Sequence, residues 1–399
     1  MTRLAILIAA LVLAAGPAVA APHLVRVVIV QRHGIRPPTQ SNDALAKYAD
    51  QPWPAWPVAP GLLTPHGAET VKLVGESVAA AYRRAGLLPA GGCAPAGQVS
   101  VWADNADQRT KDTGQDFADA LQPGCGLTAH WSPATPRDPI FSGTNQAACA
   151  IDADKAKAVA NALAASHPTD LSAPTARLQS ILAPHACQGG AGTCLTASPA
   201  PSSGVIPVTS SLAEDLLLEY VDGKPMSQVG WGRASRADII QVMAIHERAF
   251  GLIQGNTYVA DRRAALMTRI ILAALAGQPV SGGPQSGPDT HLLVLSGHDT
   301  NLAWMAGVFG LDWKFPDNPD ATAPSTSLAF ELWAAGGRQY VRPVLYYAAL
   351  DQLRTLTPGQ ARTLPLKFAD CASGPMGSCP VDTLRQRILA ELPGDCGVL

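Results

Sequence analysis

Three stretches, HLVRVVIVQ (23–31), QVSVWA (98–103) and HLLVLS (291–296), are apolar and rich in β-branched residues almost without a break. A surface helix or a half-exposed strand would interrupt such runs at regular intervals; a strand covered on both faces does not. Between the first two runs the spacing predicts a helix. Thr64 can cap it, Pro65 suits its first position, Val71, Val74, Val78 and Tyr82 mark one apolar face, and Gly86 can end it. A strand, helix, strand order implies a right-handed crossover and an α/β fold with a mainly parallel central sheet.

Further along, 110–121, 151–166, about 211–221 and 236–253 read as helices, with Ile239, Val242, Met243, Phe250 and Ile253 on one side of the last. Ser/Pro/Gly loops such as ASPAPSSG (197–204) separate them, and no strand pair is evident between 140 and 275. Residues 326–333 and 340–347 flank AAGGRQ as a hairpin that would add antiparallel strands at a sheet edge. The expected division is therefore an α/β domain of 21–139 and 276–399 interrupted by a mainly α-helical insertion of 140–275.

The first residues, MTRLAILIAALVLAAGPAVA, combine a basic start, a short apolar run and a small-x-small end at Ala18–Ala20, the pattern of a cleaved signal peptide (1–20). No other segment is long and apolar enough for a membrane span, so no membrane association is expected after cleavage. The eight cysteines, an even number behind a leader and without CxxC spacing, read as disulfides formed in a periplasmic or secreted setting. Cys187/Cys194 and Cys371/Cys379 lie in short Gly-rich loops that can close on themselves. Formal charge is −2 and charged residues are only 15%, which argues against a nucleic-acid partner and makes any anion chemistry local.

That local chemistry follows the three apolar runs. Arg32-His33-Gly34-Ile35-Arg36-Pro37-Pro38-Thr39 comes after the first, Asp104 to Thr110 (DNADQRT) after the second, and Gly297-His298-Asp299-Thr300-Asn301 after the third. Ligands of open parallel sheets bind beyond the carboxyl ends of the strands, so the three clusters should meet. Guanidinium forks bind phosphate oxygens and stay charged, making Arg32, Arg36 and Arg109 a phosphate clamp that requires no metal. A neutral imidazole kept unprotonated by those arginines can attack phosphorus, and Asp299 can protonate the departing oxygen and then activate water. The residues alone leave two histidines in contention, the arginine-flanked turn favouring His33 over His298.

RHGIRPPT with a later HDTN resembles the histidine acid phosphatases, in the group that includes bacterial periplasmic phytases and glucose-1-phosphatases. LTPHGAE (63–69), ADNADQRT (103–110), GWGR (230–233) and the cysteine layout extend the resemblance over most of the chain. It implies His33 as nucleophile, Asp299 as proton donor, Arg32, Arg36, Arg109 and His298 as phosphate ligands and Thr39 as a pocket contact. It also implies the pairs Cys93–Cys125, Cys149–Cys396, Cys187–Cys194 and Cys371–Cys379, a phosphoglycerate-mutase-like α/β core with a helical domain, and no cofactor. The expected function is acid phosphomonoesterase with phytate among its substrates, acting as a monomer on a small phosphate ester and water. One departure bears on the ester: phytases of this group carry a lysine after the threonine, where this chain has Gln40. Arg262 or Arg263 could supply positive charge instead, and Glu214 matches an acidic position facing the pocket that would favour a sugar hydroxyl.

Simpler readings exist for each residue alone. Arg109 could pair with Asp112 on the surface, Thr39 could cap the next segment, His66 and His246 could serve packing, and Trp53 and Trp56 could cover the core. A glucose-1-phosphate type phosphatase, a phosphotransferase or mutase, and a non-catalytic binder of phosphorylated solutes are the alternative functions. A signal peptide counts against the mutase, and Asp299 against the binder, because a carboxylate repels a bound dianion.

Overall fold

The structure, a computed structural model, describes residues 21–133, 137–195 and 208–398; the expected leader and the 197–204 loop lie outside the described residues. Strands β1 (His23–Arg32), β2 (Val99–Ala103), β3 (Ala129–His130), β4 (Leu292–Gly297), β5 (Ser327–Ala335), β6 (Arg338–Tyr347), β7 (Arg362–Pro365) and β8 (Cys379–Pro380) form one sheet. Their order is β3-β2-β4-β1-β5-β6-β7, with β8 also on β6. The three apolar runs are β1, β2 and β4, and they are adjacent and parallel. Val27 to Val30 and Leu292 to Leu295 are buried throughout, as strands covered on both faces must be.

The other half of the sheet is antiparallel, a larger share than an added edge hairpin would give. β5 pairs with β1 itself, placing the hairpin against the sheet's centre. Its two-residue turn, Gly336-Gly337, has φ of 57° and 75°, which matches the twist of a tight hairpin and suits glycine. The sheet is thus mixed, with its parallel half carrying the three polar clusters.

Register brings those clusters level. Gln31 and Arg32 pair with Ser296 and Gly297, and Ala103 also pairs with Ser296, so β1, β2 and β4 end together. The main chain continues the pairing past the strands: His33 N donates to Gly297 O at 3.0 Å and Asp104 N to Ser296 O at 2.9 Å. The helix Pro65–Arg84, capped by Thr64 accepting from Gly67 N at 2.9 Å, packs against the turn after β1. A Cβ on Gly34 would sit 2.5 Å from Gly67 O, and one on Gly67 would strike the Ile35 backbone. The glycines of RHG and LTPHG are therefore where two backbones touch.

From Pro139 to Leu275 the described residues hold helices and no strand, chiefly Ala153–Ser166, Ser172–Leu182, Val208–Val221, Arg236–Ile253, Thr257–Arg263 and Ala265–Leu275. The predicted face of Arg236–Ile253 is buried, and Ser235 and Asp238 close a capping box at its start. Four disulfides join Cys93–Cys125, Cys149–Cys396, Cys187–Cys194 and Cys371–Cys379, the pairs implied by the resemblance. The second ties the helical segment to the carboxyl terminus. No helix of the described residues is long and apolar enough to cross a membrane.

GWGR is structural. Gly230 (φ 52°) and Trp231 (φ 57°) turn so that Gly230 N donates to buried Glu219 at 2.9 Å, while Arg233 pairs with Asp50 at 2.8 Å. Burial pushes the Glu219 carboxyl up to about 8, despite the Gly230 hydrogen bond, and the Glu247 carboxyl up to about 7. A carboxyl raised in the folded state stabilises the fold fully below its unfolded value, about 4.3, and that stability is lost as pH rises through the folded value. Denaturant midpoints should therefore fall between pH 5 and pH 8. Glu219→Gln should remove a change in stability of about 4 kcal/mol across that window; an unchanged pH dependence would refute the role of Glu219.

Candidate active site

Beyond the ends of β1, β2 and β4 lies a cavity of about 730 Å³. Its sheet side is lined by His33, Arg36, Asp104, Asp107, Arg109, His298 and Asp299, and its helical side by residues such as Phe141, Lys157, Ile253 and Arg263. The three sequence clusters meet there, with His33 and His298 rings 5.6 Å apart edge to face.

His33 is 1% exposed. Its Nδ1 lies 2.8 Å from Gly34 O, and since a carbonyl only accepts, Nδ1 carries the proton and Nε2 keeps its lone pair. Burial, then the charges of Arg109, Arg36 and Arg32, hold the imidazole well below its ordinary pKa. It is a neutral imidazole with one committed nitrogen. His298 is committed at both. Its Nε2 donates to Asp104 at 2.7 Å and its Nδ1 lies 3.5 Å from Arg109 Nη2, while its main chain is fixed by Asn301 Oδ1 at 2.8 Å. Asp104 stays ionised: burial raises its carboxyl, and the hydrogen bond and charge of His298 outweigh that and lower it.

Arg109 pairs with Asp107 at 3.0 Å and donates to Gly61 O at 3.2 Å, while Gln108 binds Asp112, so the surface pairing considered for Arg109 does not form. Arg36 donates to Pro37 O at 3.3 Å. Arg32 is fully buried. Its Nη2 lies 2.6 Å from Glu214 and 3.2 Å from Asp299, its Nη1 2.8 Å from Asp320, and Nη1 also donates to Thr322 O. The Nε atoms of Arg32, Arg36 and Arg109 are all buried with no hydrogen-bond partner. Three largely buried guanidiniums acting on one neutral imidazole make a place suited to an oxyanion.

Asp299 opens the helix Asp299–Phe309, and its Oδ1 accepts Thr300 N at 2.6 Å. Burial raises its carboxyl, but Arg32, Arg36 and His298 outweigh burial and hold it at about 2. A phosphate dianion among the arginines would offset that field and so favour the protonated carboxyl.

Two of the expected specificity positions, Glu214 and Gln40, and the expected pocket contact Thr39 are not among the residues lining the large cavity. Glu214 is buried and bridges Arg32 (2.6 Å) and Arg36 (3.4 Å), so its charge is engaged by two guanidiniums. Gln40 lines a separate cavity of about 360 Å³ with Pro37, Pro38 and Trp56. Thr39 is exposed and outside the large cavity's lining. Arg263 does line that cavity, donating to Ser142 O at 3.4 Å. Trp53 is buried and bonds Leu45 O, and His246 is buried against Phe250, as packing residues. The sequence reading did not assign Asp104, Asp107 or Asp320. For the first two the signal was available, since both lie within ADNADQRT; Asp320 sits in a loop that looks like an ordinary polar turn.

Residues 23–182 match the histidine phosphatase superfamily, branch 2. The chain is 31% identical over 379 residues to phytase AppA of Escherichia coli (strain K12), covering 86% of each protein. It is 28% identical to glucose-1-phosphatase of Salmonella typhimurium (strain LT2), covering 90% of each. Phytase of Hafnia alvei in complex with myo-inositol hexakis sulphate superposes with a TM-score of 0.83 at 29% identity, over 96% of this chain and 100% of that one. With its parallel strand ends, its paired histidines and its arginines matched by that fold and those relatives, the chain belongs to the histidine phosphatase superfamily, branch 2, whose members here are phosphomonoester hydrolases.

Proposed function

We propose that the chain hydrolyses phosphate monoesters through a phosphohistidine on His33, with phytate among its substrates. The observation that carries this is the His33 tautomer: Nδ1–H held by Gly34 O leaves a neutral Nε2 among three arginines whose Nε–H donors have no partner. Nε2 attacks phosphorus, the P–O ester bond breaks, and the departing oxygen takes the proton of Asp299. Water then attacks phosphorus, the N–P bond breaks, and Asp299 receives the water's proton as phosphate leaves. Arg32, Arg36 and Arg109 neutralise the equatorial oxygens, which is the role a metal plays in other phosphoryl-transfer sites. His298, held by Asp104, completes the clamp.

Substrate enters the cleft between an α/β part of 21–139 and 276–399 and a helical part of 140–275. Arg263, on the helical side, adds positive charge where Gln40 adds none. The phytase relatives support phytate, and the glucose-1-phosphatase relative supports a sugar-phosphate reading of the same pocket. The expected leader and the four disulfides support a periplasmic or secreted location. Rates on phytate, glucose 1-phosphate and an aryl phosphate between pH 3 and pH 7, with and without EDTA, test the reading. Phytate turnover that survives EDTA is expected. Turnover of glucose 1-phosphate alone would favour the sugar-phosphate reading, and a strict need for added metal would overturn the arginine clamp.

A further inference from the structure

We propose that Asp320 is the positioning residue of Arg32, and that Arg32 meets the phosphoryl group along its Nε edge and not through Nη1. The inference rests on the phosphatase reading but deepens it at a residue outside all three catalytic clusters. Asp320 is fully buried, and its Oδ2 holds Arg32 Nη1 at 2.8 Å. Its Oδ1 accepts Thr322 N at 2.8 Å and Thr322 Oγ1 at 3.0 Å, so the carboxylate is held at both oxygens. Thr322 also offers its carbonyl to the same Nη1.

The other terminal nitrogen, Nη2, donates to Glu214 at 2.6 Å and lies 3.2 Å from Asp299 as an ion pair. Three hydrogen bonds thus take both N–H groups of Nη1 and one of Nη2, leaving the edge formed by Nη2 and the buried, unpartnered Nε–H, beside Asp299, for a ligand. Arg32 therefore does not grip phosphate bidentately with its terminal nitrogens, as an arginine on a free stem would.

The loop that carries Asp320 is itself pinned. Asp320 N donates to Asn318 Oδ1 at 3.1 Å, Ala321 N to Glu247 at 2.9 Å, and Ser325 N to His33 O at 3.0 Å. One loop thus sets the Arg32 guanidinium and holds the backbone of the nucleophile. Glu214 cannot do the same, because it divides its charge between Arg32 and Arg36.

Misplacing a catalytic group by about 1 Å costs about a hundredfold in rate. Asp320→Asn keeps the volume and loses the charge that aligns Nη1. It should lower kcat on an aryl phosphate by about a hundredfold and weaken binding of inorganic phosphate by about tenfold, with KM moving far less than kcat. In an Arg32→Gln background the same substitution should add almost nothing, since Asp320 acts through Arg32. Thermal unfolding of each variant, read alongside, separates folding from positioning. Should Asp320→Asn fail to fold, Thr322→Val, which removes one hydrogen bond to the carboxylate, should still weaken phosphate binding by about threefold. Phosphate binding and kcat within twofold of wild type in whichever variant folds would overturn the proposal. So would an undiminished loss in the Arg32→Gln background. A wild-type protein that binds phosphate but hydrolyses no monoester would instead refute the phosphatase reading, and leave the effect of Asp320 on phosphate binding to be judged by itself.

Discussion

His33→Ala is expected to lower kcat on an aryl phosphate by at least about 10⁴-fold, because removing a nucleophile forces water to attack the ester directly. The size follows from what remains: the clamp still binds and polarises phosphate, so some acceleration over water survives, but the route through two easier steps is lost. The substitution also tests His298 as the rival. His298 Nε2 is held by Asp104 at 2.7 Å and its Nδ1 lies 3.5 Å from an Arg109 nitrogen, so neither ring nitrogen is left open to take over. Rapid quenching at alkaline pH, where phosphohistidine persists, should trap label on the wild-type chain and none on His33→Ala. If more than about 1% of activity and the label both survived, His33 would not be the nucleophile.

Much of this site was legible because its parts sit at strand ends. HLVRVVIVQ, QVSVWA and HLLVLS could be recognised as strands covered on both faces, and the polar clusters after them then had one place to meet. What the pattern could not show was which carboxylate serves which guanidinium. Glu214 reads as a pocket residue until two arginines are seen to enclose it. Asp320 reads as one more polar residue of PDNPDATAPS, and its link to Arg32 spans 288 positions, a distance over which no periodicity carries information. The antiparallel half of the sheet was understated for a related reason: a hairpin's sequence reveals its turn and strands but not the neighbour it joins, here β1 itself. Gln40 shows the same gap in a loop, where sequence position next to the motif did not mean a place in the lining of the large cavity.

Asp299→Asn should separate esters by leaving group. An alkoxide leaving from phytate or another alcohol phosphate needs a proton in the transition state, and general acid catalysis of this kind contributes about 10²–10⁴-fold. An aryl oxide leaves without one. The variant should therefore lose about 10³-fold on the alcohol ester and about tenfold or less on the aryl ester. Binding should move the other way: Asn removes a carboxylate 3.2 Å from Arg32, so phosphate binds at least as tightly as before. The pH dependence has a definite sign. The free carboxyl, at about 2, is ionised across the acid range, so the competent proton is acquired in the complex with substrate. As pH rises above that complexed value the acid is lost, and wild-type kcat on the alcohol ester should fall while Asp299→Asn stays flat. Equal losses on both ester types, or a pH fall that persists in Asp299→Asn, would place the proton donor on another group, with Asp107, on the same cavity wall and 3.0 Å from Arg109, the next to substitute.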